Sequence, residues 1–387
     1  MNDPHAPDWD PRADSILTNQ LDAYDTMRRR CPVAWSNYQN WTLFRHGDVL
    51  RVLGDHDTFS NTVSSHLSVP NGMDPPEHGR YRSLIETWFS HERLVAFEPD
   101  CRDIARQLVS EIPDGEAFDL VEHFSQLFAL RIQCAFMGWP DSLHGPLQAW
   151  VTKNLRATLA RDRSAMADIA REFDGYITEI LDSRRQAGNE DATDVTTGLM
   201  NQTLDGRLLS HEEIVSIVRN WTVGELGTIS ASVSILASYL AERPDLQNEL
   251  RQNPDRLPGA IDEILRMDAP LISNRRVTTR EVQIGGRTLA PGEKITLLWA
   301  SANRDEEIFG DPDDFQPEQN ADNNLLYGAG IHVCPGAGLA RMELRMVMEE
   351  LLAGTDSIRM AEGQRSRRAV YPAGGFSFLP VIAEKVF

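Results

Sequence analysis

The chain holds only four cysteines in 387 residues, and no two of them lie close together. Cys31, Cys101, Cys134 and Cys334 form no Cys-x-x-Cys pair, which excludes a disulfide framework or a zinc cluster and fits a reducing compartment. Positive charge is in deficit as well. The formal net charge is −20, which argues against binding to nucleic acid or to an anionic membrane surface. Residues 1–8 are polar and acidic, so they read as neither a signal peptide nor a membrane anchor, and a cytoplasmic location is expected. There is no internal repeat, no low-complexity linker and no alternation of strands and helices of the kind that builds a parallel sheet.

What is present is mostly helical. Apolar residues recur at spacings of three and four over 100–111, 120–137, 164–185, 212–242, 258–267 and 337–352. Strand-like pieces are short: 33–36, 41–44, 282–284, 294–299 and 376–381. Gly285-Gly286 reads as the turn of a hairpin. The expected fold class is mainly α with small β-sheets (α+β). One helix is apolar on nearly every face, with Ile214, Val215, Ile217, Val218, Trp221, Val223, Leu226, Ile229, Val233, Ile235 and Leu236. Such a helix either spans a membrane or runs through the centre of a large globule. Arg219, Asn220 and Glu225 make a span expensive, so a buried central helix ending before Pro244 is expected.

The segment Tyr327-Gly328-Ala329-Gly330-Ile331-His332-Val333-Cys334-Pro335-Gly336 sets one cysteine in a glycine-built loop ahead of a helical pattern. Glycines let a backbone turn sharply and approach a flat ligand. A thiolate at a helix start is stabilised by the helix dipole and its free N–H groups, which suits a metal ligand. A lone cysteine is more often a buried packing residue, and Cys31, Cys101 and Cys134 are expected to be of that kind. The ten-residue context reverses that for Cys334.

This segment resembles the cysteine-loop signature of the cytochrome P450 family, Phe-Gly-x-Gly-x-His-x-Cys-x-Gly, with Tyr327 in place of the usual Phe. The resemblance implies a soluble, bacterial-type haem-thiolate monooxygenase fold, with haem between a long distal helix and the proximal helix of the cysteine loop. It implies Cys334 as the axial ligand of haem b (iron protoporphyrin IX), with Tyr327, Gly328 and Gly336 shaping the loop around it. The family's distal helix carries Gly-x-acid-Thr. Counting back from Pro244 places that threonine at Thr228, in Gly224-Glu225-Leu226-Gly227-Thr228, where Gly224 and Gly227 leave room for oxygen. Gly227 stands where the acid is usual. Glu225 either takes over the proton relay or is a solvated acid in a substrate channel.

Further segments match the family. His78 and Arg82, in Met73-Asp74-Pro75-Pro76-Glu77-His78-Gly79-Arg80-Tyr81-Arg82, together with Arg276 and His332, fall at positions that hold haem propionates. Cationic donors suit a carboxylate pair. Glu263 and Arg266 match Glu-x-x-Arg, a pair that locks the segment preceding the cysteine loop, although Gln319 stands where an arginine commonly completes that triad. Leu67, Val69, Leu271, Ile272, Phe376 and Phe378 are expected in the substrate pocket. The loop over 62–72 is too short and too rich in turn formers for the usual capping helix.

The expectation is a single haem domain over 1–387 with no fused reductase, acting as a monomer on a small hydrophobic substrate. Electrons then come from NAD(P)H through ferredoxin and ferredoxin reductase, or a flavin reductase. Some of Arg80, Arg93, Arg102, Arg341 and Arg345 are expected to form a basic docking patch. A peroxide-driven peroxygenase and a haem sensor without turnover are the alternatives.

Overall fold

The computed structural model describes residues 6–160, 162–188 and 194–386. Residues 1–5, expected to be neither leader nor anchor, lie outside the described residues. The helices that position the site are α1 (Gln20–Arg30), α2 (Glu77–Glu86), α3 (His91–Glu111), α4 (Gln126–Met137), α5 (Arg163–Gln186), α6 (His211–Ala241), α7 (Leu257–Met267) and α8 (Ala337–Ala353). The strands are β1 (Val33–Ser36), β2 (Asn40–Leu43), β3 (Phe59–Ser60), β4 (Ala117–Asp119), β5 (Ser273–Thr278), β6 (Lys294–Leu298), β7 (Thr355–Met360), β8 (Phe376–Phe378) and β9 (Pro380–Lys385).

α6 is the axis of the molecule. Its N-terminus is fixed by a capping box: Ser210 accepts from the Glu213 N–H, and the Glu213 carboxylate accepts from the Ser210 N–H at 2.6 Å. Both satisfy N–H groups that a helix start leaves without partners. The helix is long and apolar enough to cross a membrane by composition. Most of its residues are instead buried, and its apolar ones pack into the main hydrophobic cluster with α3, α4, α7 and α8, as the central-helix reading expects. One stretch is different. Val223, Gly224 and Gly227, in mid-helix, are exposed.

β1, β2, β6, β5 and β3 form one sheet in that order. β6 runs parallel to β2 and antiparallel to β5, and pairs Ile295 with Arg276. The sheet core, with Trp41, Leu43, Phe59, Ile295 and Leu297, is separate from the helical one. The hairpin at Gly285-Gly286 is present, pairing Ile284 with Arg287. Both glycines have positive φ (52° and 77°), as a two-residue turn of this hand requires.

Several expected boundaries move. α3 starts at His91 rather than 100, because Pro99 inside it hides the first half of the pattern. Val121–Ser125 is a wider π turn ahead of α4. The strand expected over 376–381 is two strands, β8 and β9, separated at Leu379. β5, whose residues are largely polar, had no signature as a strand.

Candidate functional site

The cysteine loop is built by its own backbone. The Cys334 N–H donates to the Tyr327 carbonyl at 2.8 Å, and Gly328 and Gly330 have φ of 75° and 70°. A Cβ on Gly330 would lie 2.3 Å from the Leu53 carbonyl oxygen, so glycine is required there. Cys334 is exposed to solvent while lying deep in the fold, as a side chain on a cavity wall does. Its surroundings push the thiol pKa up, chiefly by burial, against an opposing hydrogen bond from the Gly336 N–H.

α6 passes on the other side of that cavity. Phe89 bridges the two: a Cβ on Gly336 would lie 3.6 Å from its ring, and its centroid is 5.1 Å from that of Trp221 in an edge-on contact. A Cβ on Gly224 or Gly227 would meet no atom within 4 Å, so both glycines border open space. The Thr228 hydroxyl donates back to the Gly224 carbonyl at 2.6 Å, the local bond a helical threonine makes. Glu225 is half-buried. Its Oε1 is buried, and its carboxyl faces Glu343 of α8. Burial pushes both acids up.

At one edge of the cavity four basic side chains converge. The rings of His78 and His332 lie 4.1 Å apart, and the Nε2 of each is buried without a hydrogen-bond partner. Arg276 is 3% exposed. It donates to the Arg275 carbonyl at 2.7 Å and makes no ion pair among the described residues. Its burial brings its pKa down to about 10. Arg82 donates to the Val333 carbonyl and to Glu86. Burial first, then the neighbouring His78, pulls the His332 pKa down to about 3. Asp74 is the carboxylate whose field reaches His78, Arg276 and His332. Its oxygens are engaged by the Ser60 hydroxyl and the Asn61 N–H. A buried guanidinium without an ion pair, beside two buried ring nitrogens without hydrogen-bond partners, marks a place for an anion. Two haem propionates fit that edge, and the accessible Cys334 together with the uncovered glycines of α6 fits a flat ring.

The Glu-x-x-Arg pair is fully buried. Arg266 donates to Glu263 at 2.8 and 3.0 Å, to the Asn303 carbonyl at 2.7 Å and to the Pro312 carbonyl at 3.1 Å. The triad arginine missing at Gln319 is replaced by neutral donors: Glu263 Oε1 accepts from the Asn320 side chain at 2.7 Å and from the Gln316 N–H at 3.0 Å. Tyr327 stacks under the Arg341 guanidinium at 4.3 Å, and its hydroxyl is buried without a partner.

A family model described as Cytochrome P450 matches residues 143–354. The chain belongs to the cytochrome P450 family. Linalool 8-monooxygenase of Pseudomonas putida is 29% identical over 388 residues, covering 93% of this chain and 95% of that protein. Erythromycin C-12 hydroxylase of Saccharopolyspora erythraea is 29% identical over 382 residues, covering 95% of each. A solved structure of a P450 EryK mutant with erythromycin B superposes with a TM-score of 0.85 at 28% identity, covering 95% of this chain and 96% of that one. This P450 is therefore an oxidoreductase of the monooxygenase class, in a family whose cofactor is haem.

The expected site residues are not all where a substrate contact needs them. Val69 and Ile272, expected in the pocket, are buried in the main core and in a satellite cluster with Trp9, Tyr24 and Tyr371. Val69 is fully covered, while Ile272 keeps a small exposed area on a cleft it shares with Leu21, Tyr24 and Gly374. Phe376 is buried beneath Arg368, and Phe378 is half-buried beneath Arg367. Leu67 and Leu271 are exposed. No helix forms between Ser60 and Glu77, as the short loop predicts. The loop is tied to α6 instead: Ser216 accepts from the Val69 N–H at 2.9 Å, and Asn220 and Arg219 donate to the Val69 and Leu67 carbonyls. Outside it lies a polar cleft of about 290 Å³, lined by His66, Leu67, Asp174, His211 and Arg219.

Four of the five arginines expected to supply a basic patch are ion-paired. Arg80 pairs with Asp205, Arg102 with Glu349 and Glu350, Arg341 with Asp262, and Arg345 with Glu98. Arg93 is the one of the five without a carboxylate among the described residues; it stacks on Trp88 at 4.2 Å. Two site residues escaped sequence reading. Asn320 carries no motif. Glu343 is an acid on the apolar face of α8, a misplaced charge that is a legible signal in retrospect.

Proposed function

We propose that this P450 uses Cys334 as the axial thiolate of haem b and inserts one oxygen atom from O2 into a small hydrophobic organic substrate. The observation that carries this reading is the cysteine loop facing a cavity rimmed by His78, His332, Arg276 and Arg82, with ring nitrogens that lack partners. Haem, when bound to a thiolate, supplies dioxygen binding and O–O cleavage. The protein's share is ligation, orientation and protons. His78, Arg276 and His332 hold the propionates, with Arg82 bracing the loop through Val333. Gly224 and Gly227 keep the face of α6 clear. The Thr228 hydroxyl orients water there, and Glu225 stands one turn away as the acid. The whole chain forms one haem unit, and electrons from NAD(P)H arrive through a ferredoxin-type or flavin-type partner.

The relatives named for linalool and erythromycin differ greatly in size, so they support an apolar substrate class rather than one compound. Leu67 and Leu271 are the exposed apolar residues offered to it. The test is NAD(P)H-dependent product formation with a surrogate ferredoxin and reductase, over a screen of terpenes, alkanes, aromatic ethers and macrolides. Turnover with both O2 and reductase present is the expected result. Turnover with peroxide alone would make the enzyme a peroxygenase, and no turnover with any substrate that shifts the spectrum would leave a sensor.

A further inference from the structure

α6 and α8 meet beside the cavity, and each brings a carboxyl into the contact. Glu343 is 0% exposed, and no N–H or hydroxyl donor reaches either of its oxygens. None reaches Glu225 Oε1. What each acid faces is the other. The remaining titratable groups around them give no counter-charge. The fields of the two acids reach Cys101 of α3, that of Glu225 reaches Cys334 and that of Glu343 reaches Tyr327, and none of these three groups is ever cationic. No arginine, lysine or histidine acts on either acid among the described residues.

Two carboxylates held together away from water cannot both ionise, since each would be an uncompensated buried charge. One proton between them supplies the missing donor and removes one charge. We propose that Glu225 and Glu343 share a single proton, and that this acid–carboxylate pair is the proton store behind Thr228. The proposal rests on the haem-thiolate reading above. Glu343 is wholly buried, whereas Glu225 is half-buried between two glycines that border open space, so Glu225 is the member of the pair from which the shared proton leaves. The route onward lies along α6. Gly224 and Gly227 flank Glu225 with open space, and Thr228 sits at the end of it, bonded to the Gly224 carbonyl. In one delivery the proton passes from Glu343 to Glu225 and then to water oriented by Thr228. The pair takes one proton back from cavity water and ends unchanged. Gly227, where the family's usual acid is missing, needs no carboxylate in this arrangement.

The test uses the haem-bound enzyme at neutral pH. Infrared spectra should show a carboxylic-acid C=O band that shifts in D2O. Glu225→Gln and Glu343→Gln should each move that band, and the double variant should abolish it. With redox partners, each single variant should lose about a hundredfold in product formation, in line with loss of a positioned proton donor. Peroxide release should rise as product falls. The double variant should cost no more than either single one, because the two residues act as a unit. If Glu343→Gln fails to take up haem, Glu225→Gln, next to open space, carries the same two readouts. Absence of the band in a wild-type enzyme whose reduced carbon-monoxide spectrum is that of a thiolate haem would overturn the pair and spare the haem reading. A wild-type spectrum without the thiolate signature would overturn the reading beneath it.

Discussion

Glu263 and Arg266 are both buried at their ion pair, so removing one partner strands a charge. Arg266→Met should cost about 3–5 kcal/mol, as breaking buried ion pairs does. Asn320→Ala should cost about 1–3 kcal/mol, the penalty for leaving a buried acceptor short of a donor. Chemical denaturation of the two variants checks the order. Equal costs would mean that Asn320 carries as much of the network as Arg266. The pairing of Glu263 with Arg266 was legible from their spacing of three. The contribution of Asn320 was not, because an asparagine side chain in a loop has no pattern. The propionate edge was legible because four basic residues fell at motif positions. Glu343 was missed because one acid in an apolar helix reads as a surface position until the partner helix is known.

Among the elements, α6 was the most legible, since an all-round apolar pattern of that length has few folds to serve. Its start is the site of a pH effect. Glu213 accepts from Arg207, Tyr81 and the Ser210 N–H, and the Arg207 guanidinium leads in pulling its carboxyl down to about 2 from 4.5. The folded pKa lies below the unfolded one. The stability Glu213 adds is therefore complete above about pH 4.5 and is lost as pH falls toward about 2. Glu213→Gln should flatten that part of the acid-unfolding profile; an unchanged profile would place the acid sensitivity elsewhere. The loop over 62–72 was legible as helix-free from its turn formers. That it is fastened to α6 was not, because Ser216 and Asn220 look like ordinary polar positions in a helix. Ser216→Ala with Asn220→Ala should speed hydrogen exchange at residues 67–69 while α6 beyond Thr228 keeps its protection. Unaltered exchange would show that packing of Val69 alone holds the loop.

For the molecule as a whole, the net charge of −20 predicted acidity but not its layout. The arginines of the proximal side are mostly spent on Glu98, Glu349, Glu350 and Asp262. Sequence could not reveal this, because these partners are far apart in the chain. Reversing Arg345 then breaks ion pairs as well as removing a cation. Arg93→Glu is the cleaner probe. Electron transfer from an acidic partner should slow several-fold at low salt and converge with wild type at high salt, where a Debye length shrinks to about 3 Å at 1 M. Equal rates at all salt concentrations would remove Arg93 from the docking surface. The fold class and the cysteine loop were legible across nearly the whole chain, because they rest on long apolar periodicity and on a dense run of glycines around one cysteine. The packing of Val69 into the main core was not legible, because an apolar residue in a short loop reads equally as a pocket wall. The most direct measurement concerns Cys334 itself. The reduced, carbon-monoxide-bound enzyme should show the red-shifted Soret band of a thiolate-ligated haem, and Cys334→Ser should lose that band. A Cys334→Ser protein that kept it would contradict the assignment of the axial ligand.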